Sequence, residues 1–334
     1  MNRAVILDGP RRLRVATRAV PDVGPGEALI EVKWAGICGS DIDLRNGVRP
    51  AEIVRYPVVP GHEWSGIVEA IGHGVDHSLL HKPVVGENIR SCGECVSCRA
   101  GRPANCEKEY AEAGFTIDGA WADRILVPAS QLHVRPDNAD LRSAAGIEPA
   151  ACAATAVDRA RIESHHRVGV VGGGTIGLLC TQLISARGAD VTVIDPRSWR
   201  RPIALRCGAS RVVDPESARS SIEGLDVVIE AAGVVGSVQM AFDLVRRGGR
   251  VVICGIAFEG DVVHPVDIVS KNMDVVGIFG ATTEGWDMAV SEFVAGNLNP
   301  GVLVTHEFPL DEVESALHVF ESGGPIVGKV LLRL

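Results

Sequence analysis

The chain has 334 residues, and its 33 Lys plus Arg against 42 Asp plus Glu give a formal charge of −9. At roughly 150 residues per domain this predicts two domains, and the acidic balance excludes the basic footprint that nucleic acid or an anionic membrane surface needs. Hydrophobic residues at 46% and charged residues at 22% are ordinary globular values that exclude wholesale disorder, and no apolar run reaches the roughly 18 residues of a membrane span.

The N-terminal stretch MNRAVILDGPRR carries only a four-residue apolar run, short of the about 7–15 residues of a signal peptide. The expected location is therefore the cytosol, and the expected partner is a small molecule. Nine cysteines in that compartment point to metal or catalysis before disulfides. The first 150 residues read as mainly β, with Gly and Pro punctuation and no long helical period before about Asp140. Alternating apolar residues predict strands at Ala28–Val32, Ile67–Ile71 and Ala122–Val127.

From about residue 151 strands and helices alternate. Strands are predicted at Arg167–Val171, Val191–Ile194, Val227–Glu230 and Arg250–Cys254, with helices at Ile176–Arg187 and Val238–Arg246. That order means βαβ units and a parallel sheet. A helix at Asp311–Glu321 and a strand at Gly328–Leu332 close the pattern.

Three constellations carry chemistry. Cys92, Cys95, Cys98 and Cys106 have the spacing C-x2-C-x2-C-x7-C. Such short spacings bring thiolates onto one ion, and four of them close a tetrahedral zinc shell with no open position, which makes the site structural. An iron–sulfur cluster is the alternative cargo of four thiolates. Next, Val168–Val171 runs into Gly172-Gly173-Gly174-Thr175-Ile176-Gly177, a G-x-G-x-x-G turn between strand and helix. Its glycines let a pyrophosphate approach the helix N-terminus. Asp195 ends the following strand 23 residues after Gly172, where an acid binds the adenosine ribose diol. A carboxylate there welcomes a free 2′-OH and repels a 2′-phosphate, so NAD is expected over NADP. Arg197, Arg200 and Arg201 follow it and keep NADP open, since arginine accepts that phosphate. The third constellation is Cys38 in Gly36-Ile37-Cys38-Gly39-Ser40-Asp41 with His62 and Glu63 in Gly61-His62-Glu63-Trp64-Ser65-Gly66. With one more acid these soft, borderline and hard ligands make a catalytic zinc site that keeps an exchangeable position. Buried Cys and His also serve as packing or hydrogen-bonding residues.

GHEWSG followed by Gly72 and Val75 fits G-H-E-x2-G-x5-G-x2-V. With the Cys-Gly-Ser-Asp segment, the four-cysteine loop and the glycine turn in this order, the whole chain resembles the zinc-containing medium-chain dehydrogenase/reductase family. The resemblance implies an α/β-plus-β fold: a GroES-like catalytic domain over 1–150, completed by 290–334, with a Rossmann domain over 151–289 inserted. It implies two zinc ions per chain, a nicotinamide cofactor and a homodimer or homotetramer. Cys38, His62, Glu63 and Glu148 are the implied catalytic zinc set, with Glu63 and Glu148 each binding directly or through water. Glu148-Pro149 is similar to the sorbitol and threonine dehydrogenase branch, where simple alcohol dehydrogenases carry cysteine. Ser40 matches the family's proton-relay hydroxyl. Asp43 departs from the pattern, which often has histidine there, and reads equally as an exposed loop acid.

Pro57-Val58-Val59-Pro60 and Gly114-Phe115-Thr116 before Asp118-Gly119 look like the aminocyclitol dehydrogenases of aminoglycoside antibiotic biosynthesis. The implied substrate is a hydroxylated secondary alcohol: a polyol, cyclitol, aminocyclitol or amino sugar. Phe115 and Trp121 read as core, with pocket lining as the alternative, Cys152, Cys180, Cys207 and Cys254 read as core, and His165 and His166 read as surface. Two other readings stay open. Glu148 argues against a simple alcohol dehydrogenase, and the set Cys38, Ser40, His62, Glu63 and Glu148 argues against a non-catalytic dinucleotide sensor.

Overall fold

The computed structural model describes residues 1–108, 111–222, 224–257, 260–324 and 327–334. The chain forms two units, Met1–Glu148 with Leu303–Leu334, and Pro149–Val302. Among the described residues no helix is long and apolar enough to cross a membrane.

The first unit is built on strand Glu27–Ile37, longer than the alternation at 28–32 suggested. Its length has a physical reason: two strands share one of its edges. Arg124–Pro128 pairs with residues 27–31, and Lys329–Arg333 pairs with residues 34–37. Strand Trp64–Ile71 takes the other edge, and all three pairings are antiparallel. Pro83–Gly86, Leu132–Val134 and Val304–Pro309 complete the seven-stranded sheet. A hairpin of Asn2–Gly9 and Arg12–Arg18 forms a separate two-stranded sheet. Ile30, Ile37, Trp64, Trp121, Val330 and Leu332 are in the core of this unit, where burial of large apolar side chains is the main stabilising term.

The second unit has a six-stranded parallel sheet. Its order is Arg211–Val213, Asp190–Ile194, Arg167–Val171, Leu225–Glu230, Val245–Ile253, Asp274–Gly277. Numbered along the chain this is 3-2-1-4-5-6, the dinucleotide-binding order whose reversal lies between its first and fourth strands. Val168, Val170, Val191, Val193 and Val228 are fully buried, as strands of a parallel sheet covered on both faces must be.

The expected return to the first unit at 290 is corrected to Leu303. Helix Thr283–Ala295 stays with the second unit because its N-cap is tied there: the amide of Thr282 donates to Thr155 Oγ1 at 3.0 Å. Beyond it, Asn299 donates to Gln182 Oε1 at 2.7 Å and accepts from Gln182 Nε2 at 3.2 Å. Similarly, Pro149 begins the second unit although 1–150 was expected for the first. It lies in helix Ile147–Ala160, which carries the chain out of the first unit.

Candidate active site and metal centres

The strand pairing places the first constellation. Ala35 is opposite Trp64 in the sheet, and the amide of Gly36 donates to the carbonyl of Glu63 at 2.8 Å. Cys38, just past the end of one strand, therefore meets His62 and Glu63, just before the start of the other. One ligand atom from each lies within 4.8 Å of the others. Cys38 also caps the short helix Gly39–Asn46, and its amide donates to Asp41 Oδ2 at 2.8 Å. Gly61, with φ +93°, lets the loop lie flat on Trp121, where a Cβ would strike the indole ring. Trp121 is fixed in turn by donating from Nε1 to the carbonyl of Gly36 at 3.1 Å.

The other charges of the site follow from this arrangement. Asp41 Oδ1 faces His62 Nδ1 at 3.5 Å. A carboxylate at Nδ1 orients the ring so that Nε2 is the nitrogen offered to a metal. Burial opposes the charging of His62, but the negative charges of Asp41 and Cys38 hold its pKa well above the ordinary value. Lys329, on the strand that pairs with 34–37, forms a buried ion pair with Glu63 and donates to the carbonyl of Ile37 at 3.1 Å. Burial works to lower the Lys329 pKa, yet the charges of Glu63 and Cys38 raise it.

Glu148 is buried and lies outside the triplet. It is close enough to feel His62, Glu63, Glu112 and Lys329, and burial pushes its carboxyl up to about 8. Ser40 Oγ is 3.8 Å from Cys38 Sγ. Asp43 is half-buried, not an exposed loop acid; burial raises its pKa, with Arg49 opposing. Phe115 is buried as expected but is more than packing, because its ring centroid lies 5.1 Å from that of His62.

The four cysteines of the second metal candidate have sulfurs within 4.8 Å of one another. The geometry tests the cargo directly. Cys92 and Cys98 sulfurs are 3.8 Å apart, too far for a disulfide at about 2.05 Å. A tetrahedron of thiolates about 2.3 Å from zinc has edges of about 3.8 Å. Amides of Cys95 and Cys98 point at the sulfurs of Cys92 and Cys95, each at 3.4 Å, as donors that stabilise thiolate charge. The residues present fit zinc.

The glycine turn stands at the reversal of the parallel sheet. Gly172 has φ +100°, and a Cβ there would lie 2.8 Å from the backbone of Ala232. Gly174 caps helix Thr175–Ala186, whose first turn holds Thr175, Ile176 and Gly177. Asp195 is buried, and three donors already satisfy it. Gly173 N donates at 2.9 Å, Arg197 N at 2.8 Å and Arg200 Nη1 at 3.1 Å. Arg200 thus comes to the carboxylate, whereas Arg201 faces Asp214 at 3.7 Å.

Sequence reasoning missed Lys329, Asp41 in its role behind His62, and the pair Arg49 and Glu112. Arg49 and Glu112 stand 3.7 Å apart. For Lys329 a signal existed: a lysine opening an otherwise apolar strand, GKVLL, needs a buried partner.

Comparison with known proteins agrees with this geometry. Residues 24–137 match the alcohol dehydrogenase GroES-like domain, and residues 175–295 match the zinc-binding dehydrogenase domain. The chain is 31% identical to a sorbitol dehydrogenase of Halalkalibacterium halodurans over 97% of its length and 96% of that protein. It is 32% identical to an L-threonine 3-dehydrogenase of Bacillus subtilis, over 94% and 92% of the two chains. A zinc-binding dehydrogenase of Sinorhizobium meliloti, solved with NADP, superposes with TM-score 0.93 at 32% identity, covering 100% of this chain and 99% of that one. With its two domain types in this order and its relatives matched end to end, the chain belongs to the zinc-containing medium-chain dehydrogenase/reductase family.

Proposed function

We propose that this protein oxidises a polyhydroxylated secondary alcohol, of the polyol, cyclitol, aminocyclitol or amino-sugar kind, with NAD as hydride acceptor. The observation that carries the reading is the convergence of Cys38, His62 and Glu63, with a further buried acid, Glu148, in electrostatic reach. These are soft, borderline and hard donors suited to zinc. The relatives named for sorbitol and threonine oxidation have substrates with a secondary hydroxyl beside further polar groups.

Cys38, His62 and the acids would hold zinc, which when bound would supply Lewis acidity toward the substrate hydroxyl. Ser40 Oγ, beside Cys38, relays the hydroxyl proton, accepting it while giving up its own proton to solvent. Asp41, with Oδ1 facing His62 Nδ1, favours the tautomer that carries its proton on Nδ1 and leaves Nε2 for the metal. Lys329 pairs with Glu63, so that this buried acid is not left as an uncompensated charge. Glu148 accepts a hydrogen bond from the substrate when charged and donates one when protonated. In the second unit the turn Gly172–Gly177 receives the pyrophosphate, and Asp195 with Arg200 takes the adenosine ribose. The cytosol is the proposed compartment, and a homodimer or homotetramer the proposed assembly.

The test is turnover of the zinc-loaded protein with NAD and sorbitol, threonine, myo-inositol, an aminocyclitol and ethanol, followed by NADH absorbance. Oxidation of a polyol or cyclitol supports the reading, and oxidation of ethanol alone reassigns the protein to simple alcohols. Cys38→Ser is expected to abolish turnover while the circular-dichroism spectrum stays that of the wild type. Wild-type turnover that survives this change would show that the chemistry lies elsewhere.

A further inference from the structure

The second unit buries a carboxylate at the carboxyl ends of its parallel strands, on the side where the glycine turn lies. Glu230 is the last residue of strand Leu225–Glu230 and is fully buried. In the sheet it is paired with Val171, where the first strand runs into the glycine turn, and with Ile253 on the fifth strand. It therefore stands at the reversal of strand order, where sheets of this kind bind their ligands.

Its side chain ties two loops together. Oε1 accepts from the amides of Ala232 and Gly233, each at 2.8 Å, and Oε2 accepts from the amide of Gly255 at 3.2 Å. The first two amides follow its own strand, and the third follows the fifth strand. A carboxylate can accept from all three; a carboxamide in its place would turn N–H groups of its own on one of them. Hydrogen bonds to an ionised acceptor are the strong ones, and a buried donor that loses its partner is costly. The two loops also touch directly, since a Cβ on Gly255 would strike Gly233 N and Glu230 Oε2. The loop after Glu230 is in turn one wall of the glycine turn. The amide of Ala231 donates to the carbonyl of Val171 at 2.8 Å, and the Ala232 backbone is what a Cβ on Gly172 would meet at 2.8 Å.

A dinucleotide crosses such a sheet at the reversal. Asp195 ends the second strand, on one side of the first, and takes the adenosine half. The nicotinamide half then falls on the other side, over the ends of the fourth and fifth strands, where the two loops lie. We propose that Glu230 is a positioning residue for the nicotinamide half of the cofactor: it holds both loops against the glycine turn and so sets the surface on which that half rests. This rests on the dinucleotide reading of the second unit.

The experiment is a calorimetric titration of the zinc-loaded protein with NAD and, separately, with AMP, which ends at the glycine turn and lacks the nicotinamide half. Glu230→Gln keeps the size of the side chain and removes its charge. Gly255→Ala keeps the carboxylate and forces the same two loops apart. Each variant is expected to raise the Kd for NAD by about tenfold or more, and to leave the Kd for AMP within about threefold of the wild type. Tm and the circular-dichroism spectrum are recorded for both, so that if one variant does not fold the other carries the test. An unchanged Kd for NAD in a folded variant overturns the proposal. So does an equal loss of AMP and NAD binding, which is the mark of a unit loosened as a whole. Wild-type protein that binds neither AMP nor NAD instead overturns the dinucleotide reading, and the role of Glu230 with it.

Discussion

Lys329 is the residue on which the charge balance of the metal triplet turns. Its ammonium is buried against Glu63 and the carbonyl of Ile37, and breaking such a pair leaves an uncompensated charge in a low-dielectric interior. Lys329→Met is expected to cost about 3–5 kcal/mol in urea denaturation, whereas Lys329→Arg, which keeps the charge, should cost less. Asp226 offers a second test at this scale. Partial burial works to raise its pKa, but Arg246 and the amide of Arg167 hold it below the ordinary carboxylate value. They donate at 2.7 and 2.8 Å. A lowered carboxyl contributes stability that is present above its unfolded-state pKa, about 3.9, and is lost as the pH falls through the folded value. Asp226→Asn should therefore lower the Tm at neutral pH, and the gap to the wild type should close below about pH 4. A gap that stays constant with pH would remove the ion pair from the account.

Among the elements, the turn Gly172–Gly177 is tightly constrained. Gly172 combines a φ of +100° with close backbone approach to Ala232, so an added methyl meets both backbone strain and a clash. Gly172→Ala is expected to weaken NAD binding by at least about tenfold in a fluorescence titration, with a lower Tm. Equal affinity in the variant would exclude this turn as the pyrophosphate site. This element was legible in the sequence, because strand, glycines, helix and acid are all local signals with fixed spacing. The four thiolates were legible for the same reason. The convergence of Cys38 with His62 and Glu63 was only half legible: it depends on the pairing of strands 27–37 and 64–71, which no local pattern sets. Arg49 with Glu112 was not legible at all, and for Lys329 the apolar strand signalled a buried partner without saying that it is Glu63. Each pair joins distant residues, and a charged residue in a sequence looks solvated until the fold buries it. The helix Ile147–Ala160 was missed because its Ala-rich run lacks a two-faced polar pattern. Its middle is buried nearly all round.

At the scale of the whole molecule, the two metal candidates belong to one unit and should load and fail independently, since their ligand sets share no residue. Elemental analysis of the purified protein is expected to give about two zinc ions per chain. Cys95→Ser is expected to leave about one, with a lower Tm. A stoichiometry that falls to zero in that variant would mean that the sites are coupled. Prolonged chelation should abolish turnover, and added zinc should restore it if the four-thiolate loop has kept its ion.

The strand Lys329–Arg333 fills the C-terminal part of one edge of strand Glu27–Ile37 and brings Lys329 to Glu63. Between the two in the sequence lies the entire second unit. During synthesis the residues that open the first sheet must therefore wait, edge unpaired, while the parallel-sheet unit is made and can fold by itself. The contacts that close the first sheet span nearly the whole chain, and closure of so long a loop is slow. Until it happens, Glu63 has no counter-ion and the exposed edge can pair with a neighbouring chain. Assembly of the catalytic centre therefore follows synthesis of the second unit, and pairing of residues 329–333 with 34–37 is the step that covers this part of the open edge.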